Sequence, residues 1–192
     1  MEMLIRQFAL FAKYLVLKWK YRGKIWFRGV PSIYSFKDSQ IHFNTSGDKI
    51  HIFSHPLSNM IGLSQRVIIV AKYGGRIEIN EGVCMSGCTI YSMDSIIIGK
   101  NTDIGAGCKI IDNDFHPLPY SQRYPNDKID KIKKSPIKIG EGCFIGANSI
   151  ILKGTTLGNN CVVGAGSVVH GSWPNNSIIA GNPARIIGEN QE

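Results

Sequence analysis

Aliphatic residues recur every six positions along the C-terminal part of this 192-residue chain. The regular series consists of Ile139, Ile145, Ile151, Leu157, Val163 and Val169. With one extra residue, the same spacing runs upstream through Ile79, Met85, Tyr91, Ile98, Ile104 and Ile110. Such a short repeat indicates a solenoid, in which each unit buries its apolar residue only against its neighbours. Continued past Ile110, this second series reaches His116, and a histidine in place of an aliphatic residue predicts a functional site there.

The spacing divides the chain into three predicted segments. Residues 1–24 form an amphipathic helix, residues 25–60 an irregular N-terminal cap, and residues 61–192 the repeat with a C-terminal tail. The early, degenerate part of the repeat is Ile61, Val67, Tyr73 and Ile79. A loop at 112–136 interrupts the array, and loops of that length inside a compact domain are usually functional or disordered.

The net charge and the cysteine content limit which ligands, metals and disulfide bonds can be expected. The chain holds 22 basic and 14 acidic residues, for a net charge of +8. This charge suits a soluble basic surface, a phosphate-bearing ligand or an anionic membrane, whereas no nucleic-acid motif accompanies it. The five cysteines are odd in number and lack ligand spacing, which argues against a disulfide framework and against zinc. We therefore expect a cytoplasmic protein without a metal.

Residues 3–20 have helical periodicity, with one apolar stripe and basic residues off it. The stripe is Leu4, Ile5, Phe8, Phe11, Ala12, Leu15, Val16 and Trp19. Charges interrupt it too often for a transmembrane span. It packs on the end of the solenoid or on a neighbouring subunit, or it lies on the inner face of the membrane with its cations at the headgroups. The cap is preferred, because terminal units of repeat proteins usually need one.

Three motifs carry a family resemblance. Residues 139–148, residues 163–169 and the Gly-Asn-Pro-Ala-Arg ending at 181–185 resemble the hexapeptide-repeat acyltransferases, nearest to maltose, galactoside and capsular-polysaccharide O-acetyltransferases. The resemblance covers most of the chain, from about residue 77 to 187. It implies a mainly β fold: a left-handed parallel β-helix, here with an N-terminal amphipathic α-helix and a protruding active-site loop. It also implies a homotrimer with each active site between two prisms.

The resemblance assigns His116, in the Phe-His-Pro-Leu context, as the catalytic base. A neutral imidazole suits this task because its ordinary pKa lies near neutrality. The alternative is a solvated loop histidine. Asp112, Asp114 or a backbone carbonyl would orient the ring, as the third member of a triad does.

Acetyl-CoA is the co-substrate that the resemblance implies. Gly146 and Ala147 would lie at the thioester, with the Ala147 N–H as oxyanion donor. Ala165 would bond the pantetheine arm, and Arg185 would lie near the nucleotide phosphates. Many relatives carry Thr-Lys where this chain has His170 and glycine, so His170 or a lysine from elsewhere in the chain is the candidate to replace that cation.

Ser86 and Asp94 are the candidate acceptor-binding residues. Some sugar acetyltransferases carry Asn where Ser86 stands, so the acceptor is expected to differ. Asp94 matches the family's acceptor-binding acid, and its alternative role is to cap a turn.

We therefore expect an acetyl-CoA-dependent O-acetyltransferase that modifies a sugar or lipid-linked sugar in surface polysaccharide biosynthesis. Alternatives are an acetyltransferase for a small acceptor, such as serine, an antibiotic or a nucleotide-sugar amine, and a non-catalytic β-helix scaffold. His116 and the Gly-Asn-Pro-Ala-Arg ending argue against the scaffold, because a scaffold would need neither. A metal-dependent enzyme of the carbonic anhydrase type is disfavoured, because the repeat holds too few histidines.

Overall fold

The computed structural model describes residues 2–58, 65–123 and 128–191. Three sheets of short strands run side by side along one axis, and the chain visits them in turn, so that one strand from each sheet makes one coil of a three-sided prism. Within these ranges, every pair of neighbouring strands is parallel except the last, β19 with β20.

The first sheet contains eight strands: β1 (Ile25–Arg28), β4 (Ile50–Phe53), β7 (Cys84–Ser86), β10 (Asp103–Ile104), β13 (Phe144–Ile145), β16 (Val162–Val163), β19 (Ser177–Gly181) and β20 (Ala184–Glu189). The second contains six: β2 (Ser32–Ser35), β5 (Ile68–Ala71), β8 (Thr89–Ser92), β11 (Lys109–Ile111), β14 (Ile150–Leu152) and β17 (Val168–Val169). The third also contains six: β3 (Gln40–Asn44), β6 (Arg76–Asn80), β9 (Ser95–Ile98), β12 (Ile137–Ile139), β15 (Thr156–Leu157) and β18 (Ser172–Trp173).

The described helices are α1 (Glu2–Lys20), α2 (Tyr120–Arg123) and two 3₁₀ turns, Pro56–Ser58 and Ile129–Lys131. No helix in these described ranges is both long and apolar enough to cross a membrane. α2 and the second 3₁₀ turn belong to the loop that leaves the prism after β11 and returns at β12.

The core consists of aliphatic side chains on the inward face of each sheet, stacked in a column along the prism axis. Stacked inward positions such as Ile90, Ile110 and Ile151 in the second sheet are in register and fully buried. Burial of one such side chain contributes about 2–3 kcal/mol. Because successive coils lie about 4.8 Å apart, each isoleucine is covered only by its neighbours above and below. The six-residue spacing therefore reflects the packing of the prism.

Two predicted interior positions are wrong. Tyr73 lies in a turn with φ of 54° and is exposed. Tyr91 faces outward, and the preceding Ile90 takes the interior position. The inward residues Met85 and Ile90 lie five positions apart, and Ile90 and Ile98 lie eight apart, so the six-residue spacing shifts phase at β8. His116 is not an interior position either, because the chain has left the second sheet before reaching it.

The segment 25–58, predicted as an irregular cap, contains regular strands. β1 to β4 pair in parallel register with strands of the next coil, for example Ile33 with Ile69 and Phe43 with Ile79. The coils therefore begin at Ile25. The predicted boundary at residue 61 lies outside the described residues.

α1 packs on the first coil through a face that the sequence did not single out. The ring of Tyr14 meets Phe27 edge-on at 5.7 Å between centroids, and the ring of Tyr21 meets Phe43 at 5.3 Å. The described members of the predicted apolar stripe are instead exposed: Phe11, Ala12, Leu15, Val16 and Trp19. The side chains of Leu4, Ile5 and Phe8 lie outside the described part.

Candidate active site

Two of the three prism edges carry the candidate residues. The 1–2 edge is where the chain passes from the first sheet to the second, and the 2–3 edge is where it passes from the second to the third. Gly146 lies on the 1–2 edge, where its N–H donates to the Val163 carbonyl at 2.8 Å. A Cβ there would lie 2.6 Å from the Ala165 nitrogen. The coils can stack this closely only because the residue is glycine.

The alanines that follow this glycine column present backbone groups outward. Ala106 is buried, Ala147 half-buried and Ala165 exposed in three successive coils. The Ala147 carbonyl accepts from the Gly166 N–H at 2.8 Å. Among the described residues, no backbone carbonyl accepts from the N–H of Ala147 or of Ala165. Two donors one coil apart, about 4.8 Å, can therefore bind a thin polar ligand laid along the edge.

Ser86 lies on the same edge as these donors. It is the last residue of β7 and pairs with Phe53 of the preceding coil. It stands two coils before Gly146, a separation of about 10 Å along the prism axis. Its side chain is half-buried.

Arg185 also belongs to this edge. It lies on β20, which folds back antiparallel on β19 and places Arg185 opposite Ala180. Its Nη1 donates to the Ala184 carbonyl at 2.8 Å, and its side chain is exposed. The guanidinium can still approach an anion from this position.

Asp112 is the buried anchor of the 2–3 edge and is completely inaccessible to solvent. Its carboxylate accepts from the Ser92 hydroxyl at 2.6 Å, from the Met93 N–H at 2.8 Å and from the Asp94 N–H at 2.9 Å. The side-chain amide of Asn113 donates a fourth bond at 3.0 Å. Asp112 thus ties the β8–β9 turn to the base of the long loop.

Asp94 shares this turn. Its carbonyl accepts from the Arg76 N–H at 2.9 Å, and its side chain is half-buried. Within the described part of the chain, no group donates to the Asp94 carboxylate, so it is not bound as a turn-capping side chain would be.

His116 stands at the start of the loop, outside the prism. The Asn113 side-chain oxygen accepts from the Phe115 N–H at 2.9 Å, and the His116 N–H donates to the Asp114 carbonyl at 2.7 Å. Phe115 has a φ of 60°, and its ring lies 4.8 Å from the Tyr91 ring. Burial raises the pKa of the Tyr91 hydroxyl. This tight turn leaves the His116 side chain exposed.

The two aspartates proposed to orient His116 have other strong partners. Asp112 is held by the donors described above. Asp114 forms an ion pair with Lys153 of the next coil, and both side chains are largely shielded from solvent. Lys153 was missed by the sequence analysis, because the long loop hides which coil Asp114 will meet.

His170 lies on the 2–3 edge, beside Gly154, and is exposed. It is therefore separated by the width of the second sheet from Arg185, with which the resemblance grouped it. The structure thus collects Ser86, Gly146, Ala147, Ala165 and Arg185 on one edge, and Asp94, Asp112, Asp114, His116 and His170 on another. From Ala147 to Lys153 the chain can span at most about 20 Å across that sheet.

No group of three or more metal-ligating side chains is found among the described residues. The five cysteines are free thiols. Cys88 and Cys108 lie inside the prism, where burial raises their pKa above that of an exposed thiol. They lie at corners of the 1–2 edge with their side chains turned inward, and the Cys108 thiol donates to the Gly146 carbonyl at 3.1 Å.

Comparison with known proteins agrees with the repeat and the fold. Residues 136–170 match the family model of the hexapeptide repeat of succinyl-transferase. The chain is 34% identical over 122 residues to the candidate lipopolysaccharide biosynthesis O-acetyl transferase WbbJ of Escherichia coli K12, covering 62% of this chain and 60% of WbbJ. It is 33% identical over 119 residues to the galactoside O-acetyltransferase of the same strain, covering 62% of this chain and 56% of that enzyme. The chain thus spans less than two thirds of these curated relatives.

Solved structures share the architecture. The polySia-specific acetyltransferase NeuO superposes with a TM-score of 0.61 over 86% of this chain and 65% of NeuO, at 23% identity. A galactoside acetyltransferase in complex with coenzyme A superposes with a TM-score of 0.50 over 80% of this chain and 66% of its own, also at 23% identity. The left-handed parallel β-helix predicted from the sequence is confirmed by these matches. Residues 136–170 thus carry a hexapeptide repeat, the chain has the fold of these solved acetyltransferases, and the resemblance inferred from its sequence is confirmed.

Proposed function

We propose that this protein is an acetyl-CoA-dependent O-acetyltransferase that acts on a sugar hydroxyl in surface polysaccharide biosynthesis. The observation that carries the proposal is that the candidate residues lie on two different edges of the prism. Outward backbone donors at Ala147 and Ala165 lie on one edge, and His116 lies on another. The relatives WbbJ and galactoside O-acetyltransferase are named as O-acetyl transferases, which supports this reaction class.

The site is completed in a homotrimer. The outer face of the second sheet, which lies between the two edges, is mostly apolar. Its half-buried apolar residues are Ile68, Val70, Tyr91, Ile111, Ile150, Leu152 and Val168, and Thr89 and the exposed Lys109 are polar residues among them. A mostly apolar face of this kind favours a protein interface. Cyclic packing that covers it would place the 2–3 edge of one copy against the 1–2 edge of the next. His116 of one copy would then face Ala147 of another.

The reaction needs one proton acceptor and one oxyanion donor. His116 would take the proton from the acceptor hydroxyl as its oxygen bonds to the acetyl carbon. The Ala147 N–H would donate to the oxygen that becomes negative at that carbon. The carbon–sulfur bond then breaks, and the leaving thiolate receives the proton from the His116 imidazolium.

The remaining candidates bind the two substrates. Ala165 would bond the pantetheine arm, while Arg185 would lie near the nucleotide phosphates. Ser86 and Asp94 would bond hydroxyls of the acceptor, since one offers a hydroxyl and the other an unshared carboxylate. His170 lies on the opposite edge from Arg185, so it would reach the nucleotide only across the subunit interface. The basic, amphipathic α1 favours a lipid-linked acceptor or one held at a membrane surface.

The test is acetyl transfer by the purified protein. Acetyl-CoA is incubated with a panel of sugars, lipid-linked sugars, serine and nucleotide amino sugars, and release of the free thiol is followed. We expect acceptor-dependent release with a hydroxyl sugar and a product acetyl group that hydroxylamine removes. Hydroxylamine-resistant product would indicate an amine acceptor. Failure to bind coenzyme A in calorimetry would indicate the scaffold alternative and would reject the proposal.

A further inference from the structure

The positive charge of the chain is concentrated at its N-terminal end. Residues 3–37 contain eight basic side chains and no acidic one, whereas the whole chain contains 22 basic and 14 acidic residues. Outside this segment the charges therefore balance. The excess of +8 lies on α1, on the turn that follows it and on the first coil, so an anionic partner would be attracted to this end of the prism.

α1 has two apolar faces that point in opposite directions. Tyr14 and Tyr21, seven residues apart, pack on the first coil. Leu15 and Trp19, spaced by four, lie on the other side of the helix and are 48% and 80% exposed. Phe11 borders this outer face: it is 47% exposed, and its ring centroid lies 6.0 Å from that of Tyr14. Because Tyr14 and Tyr21 already attach the helix to the prism, the capping role does not account for the outer face.

Cations border this outer face on both sides. Lys18 and Lys20 lie on opposite flanks of α1, between the packed face and the exposed one. The Lys18 ammonium lies 5.9 Å from the Tyr14 ring centroid, and the Lys20 ammonium lies 5.2 Å from the Tyr21 ring centroid. An apolar strip with an exposed tryptophan and lysines along both borders matches the boundary between acyl chains and anionic headgroups.

We propose that the outer face of α1, formed by Leu15, Val16 and Trp19 with Phe11 at its border, binds the surface of an anionic phospholipid membrane. A second copy of this face is a poor partner, because two such ends would bring like charges together. Nucleic acid would use the cations but leave the apolar strip in water. A lipid surface satisfies both the charge and the apolar strip.

Membrane binding through α1 does not depend on acetyl transfer. If the protein is a trimer of parallel prisms, three copies of α1 lie at one end and bind the same surface together, which strengthens the attachment through effective concentration. Acceptors held at that membrane would then be close to the prism edges.

The test uses the full-length protein and vesicles of phosphatidylcholine, with or without about one third phosphatidylglycerol, in a co-sedimentation assay. We expect binding only to the anionic vesicles, with release at high salt. The double variant Leu15→Gln/Trp19→Gln should lose at least tenfold in affinity without a lower melting temperature, because both side chains are exposed in the folded protein. Lys18→Gln/Lys20→Gln should bind about thirtyfold more weakly, the factor for two cations at an anionic surface.

Matched controls remove similar groups elsewhere. Leu57→Gln changes another exposed leucine, and Lys131→Gln/Lys138→Gln changes two exposed lysines outside residues 3–37. Both controls should bind like the wild type. Equal binding to neutral vesicles, absence of binding, or unchanged binding by Leu15→Gln/Trp19→Gln would overturn the proposal. Self-association of the wild type that Leu15→Gln/Trp19→Gln abolishes would do so too, by identifying the face as a protein contact.

Discussion

The buried Asp112 carboxylate accepts a hydrogen bond from the backbone N–H of Asp94 at 2.9 Å. This bond joins the base of the loop that carries His116 to the turn that carries the candidate acceptor-binding acid. The Asp112 backbone carbonyl also accepts from the Ser135 N–H, where the loop returns to the prism, at 2.9 Å. One residue therefore fixes both ends of the loop against a neighbouring turn.

Asp112→Asn is expected to destabilise the protein by about 2–3 kcal/mol, because an amide nitrogen would face donors that the carboxylate now accepts. The free energy of unfolding in denaturant is the measurement. Asp103→Asn, at an exposed position on β10, is the matched control and should stay within about 0.5 kcal/mol of the wild type. Equal stability of the two variants would show that the Asp112 bonds contribute nothing net.

His116→Ala is expected to lower turnover by about two to four orders of magnitude, the usual loss when a general base is removed. Coenzyme A affinity and oligomeric state should stay as in the wild type, because the side chain is exposed outside the prism. His42→Ala is the control, since His42 is an exposed histidine on the outer face of the third sheet. Near wild-type turnover in the purified His116→Ala protein would remove the base assignment.

The sequence predicted the inward positions of the C-terminal repeat better than those near β8 and in the first coil. Inward positions from Ile139 onward are confirmed, because successive inward residues there stay six positions apart. The prediction for Tyr91 was wrong because the inward residues around it, Met85, Ile90 and Ile98, are five and eight positions apart, and nothing local in the sequence records that change. The first coil was missed because its strands keep the register of the prism while its corners have irregular lengths.

Contacts across the long loop could not be predicted either. Asp114 meets Lys153, which lies 39 positions further along the chain. Only the folded path of the loop brings them together. The same holds for Asp112, whose role as an anchor of the β8–β9 turn depends on the stacking of two coils.

Gly146→Ala is expected to destabilise the protein by about 3 kcal/mol or more, because the added methyl group would overlap backbone atoms of the next coil and overpack the edge. Thermal unfolding is the measurement. Gly166→Asn is the control: Gly166 has a φ of 72°, and Asn148 holds a φ of 61° at the equivalent position one coil earlier. That substitution should cost under about 1 kcal/mol. Similar losses in both variants would contradict the close-packing argument.

Protonation of Glu81 is expected to contribute to the loss of stability in acid. An ion pair with Lys100 at 2.8 Å, together with bonds from the Ser46 hydroxyl and the Ser46 and Gly47 N–H groups, lowers the pKa of this carboxyl from 4.5 to about 2. Because the folded-state pKa is the lower one, this stabilisation is complete above about pH 4.5 and is lost as the pH falls toward 2.

Denaturant unfolding of the wild type and of Glu81→Gln at pH 6, 4 and 2.5 tests this effect. The wild type should be the more stable at pH 6, and the difference between the two proteins should shrink as the pH falls. A difference that is the same at all three pH values would show that Glu81 stabilises the fold independently of its charge.

A site shared between copies is tested most directly by complementation. His116→Ala removes the base from the 2–3 edge, and Ala165→Tyr fills the 1–2 edge where the pantetheine arm would lie. Each variant alone should be inactive in acetyl transfer. Mixed trimers of the two variants, co-expressed with different tags and purified through both, should regain about a third of wild-type activity, because one of the three sites in each mixed trimer combines an intact edge from each copy. Mixed trimers as inactive as either parent would contradict the shared site.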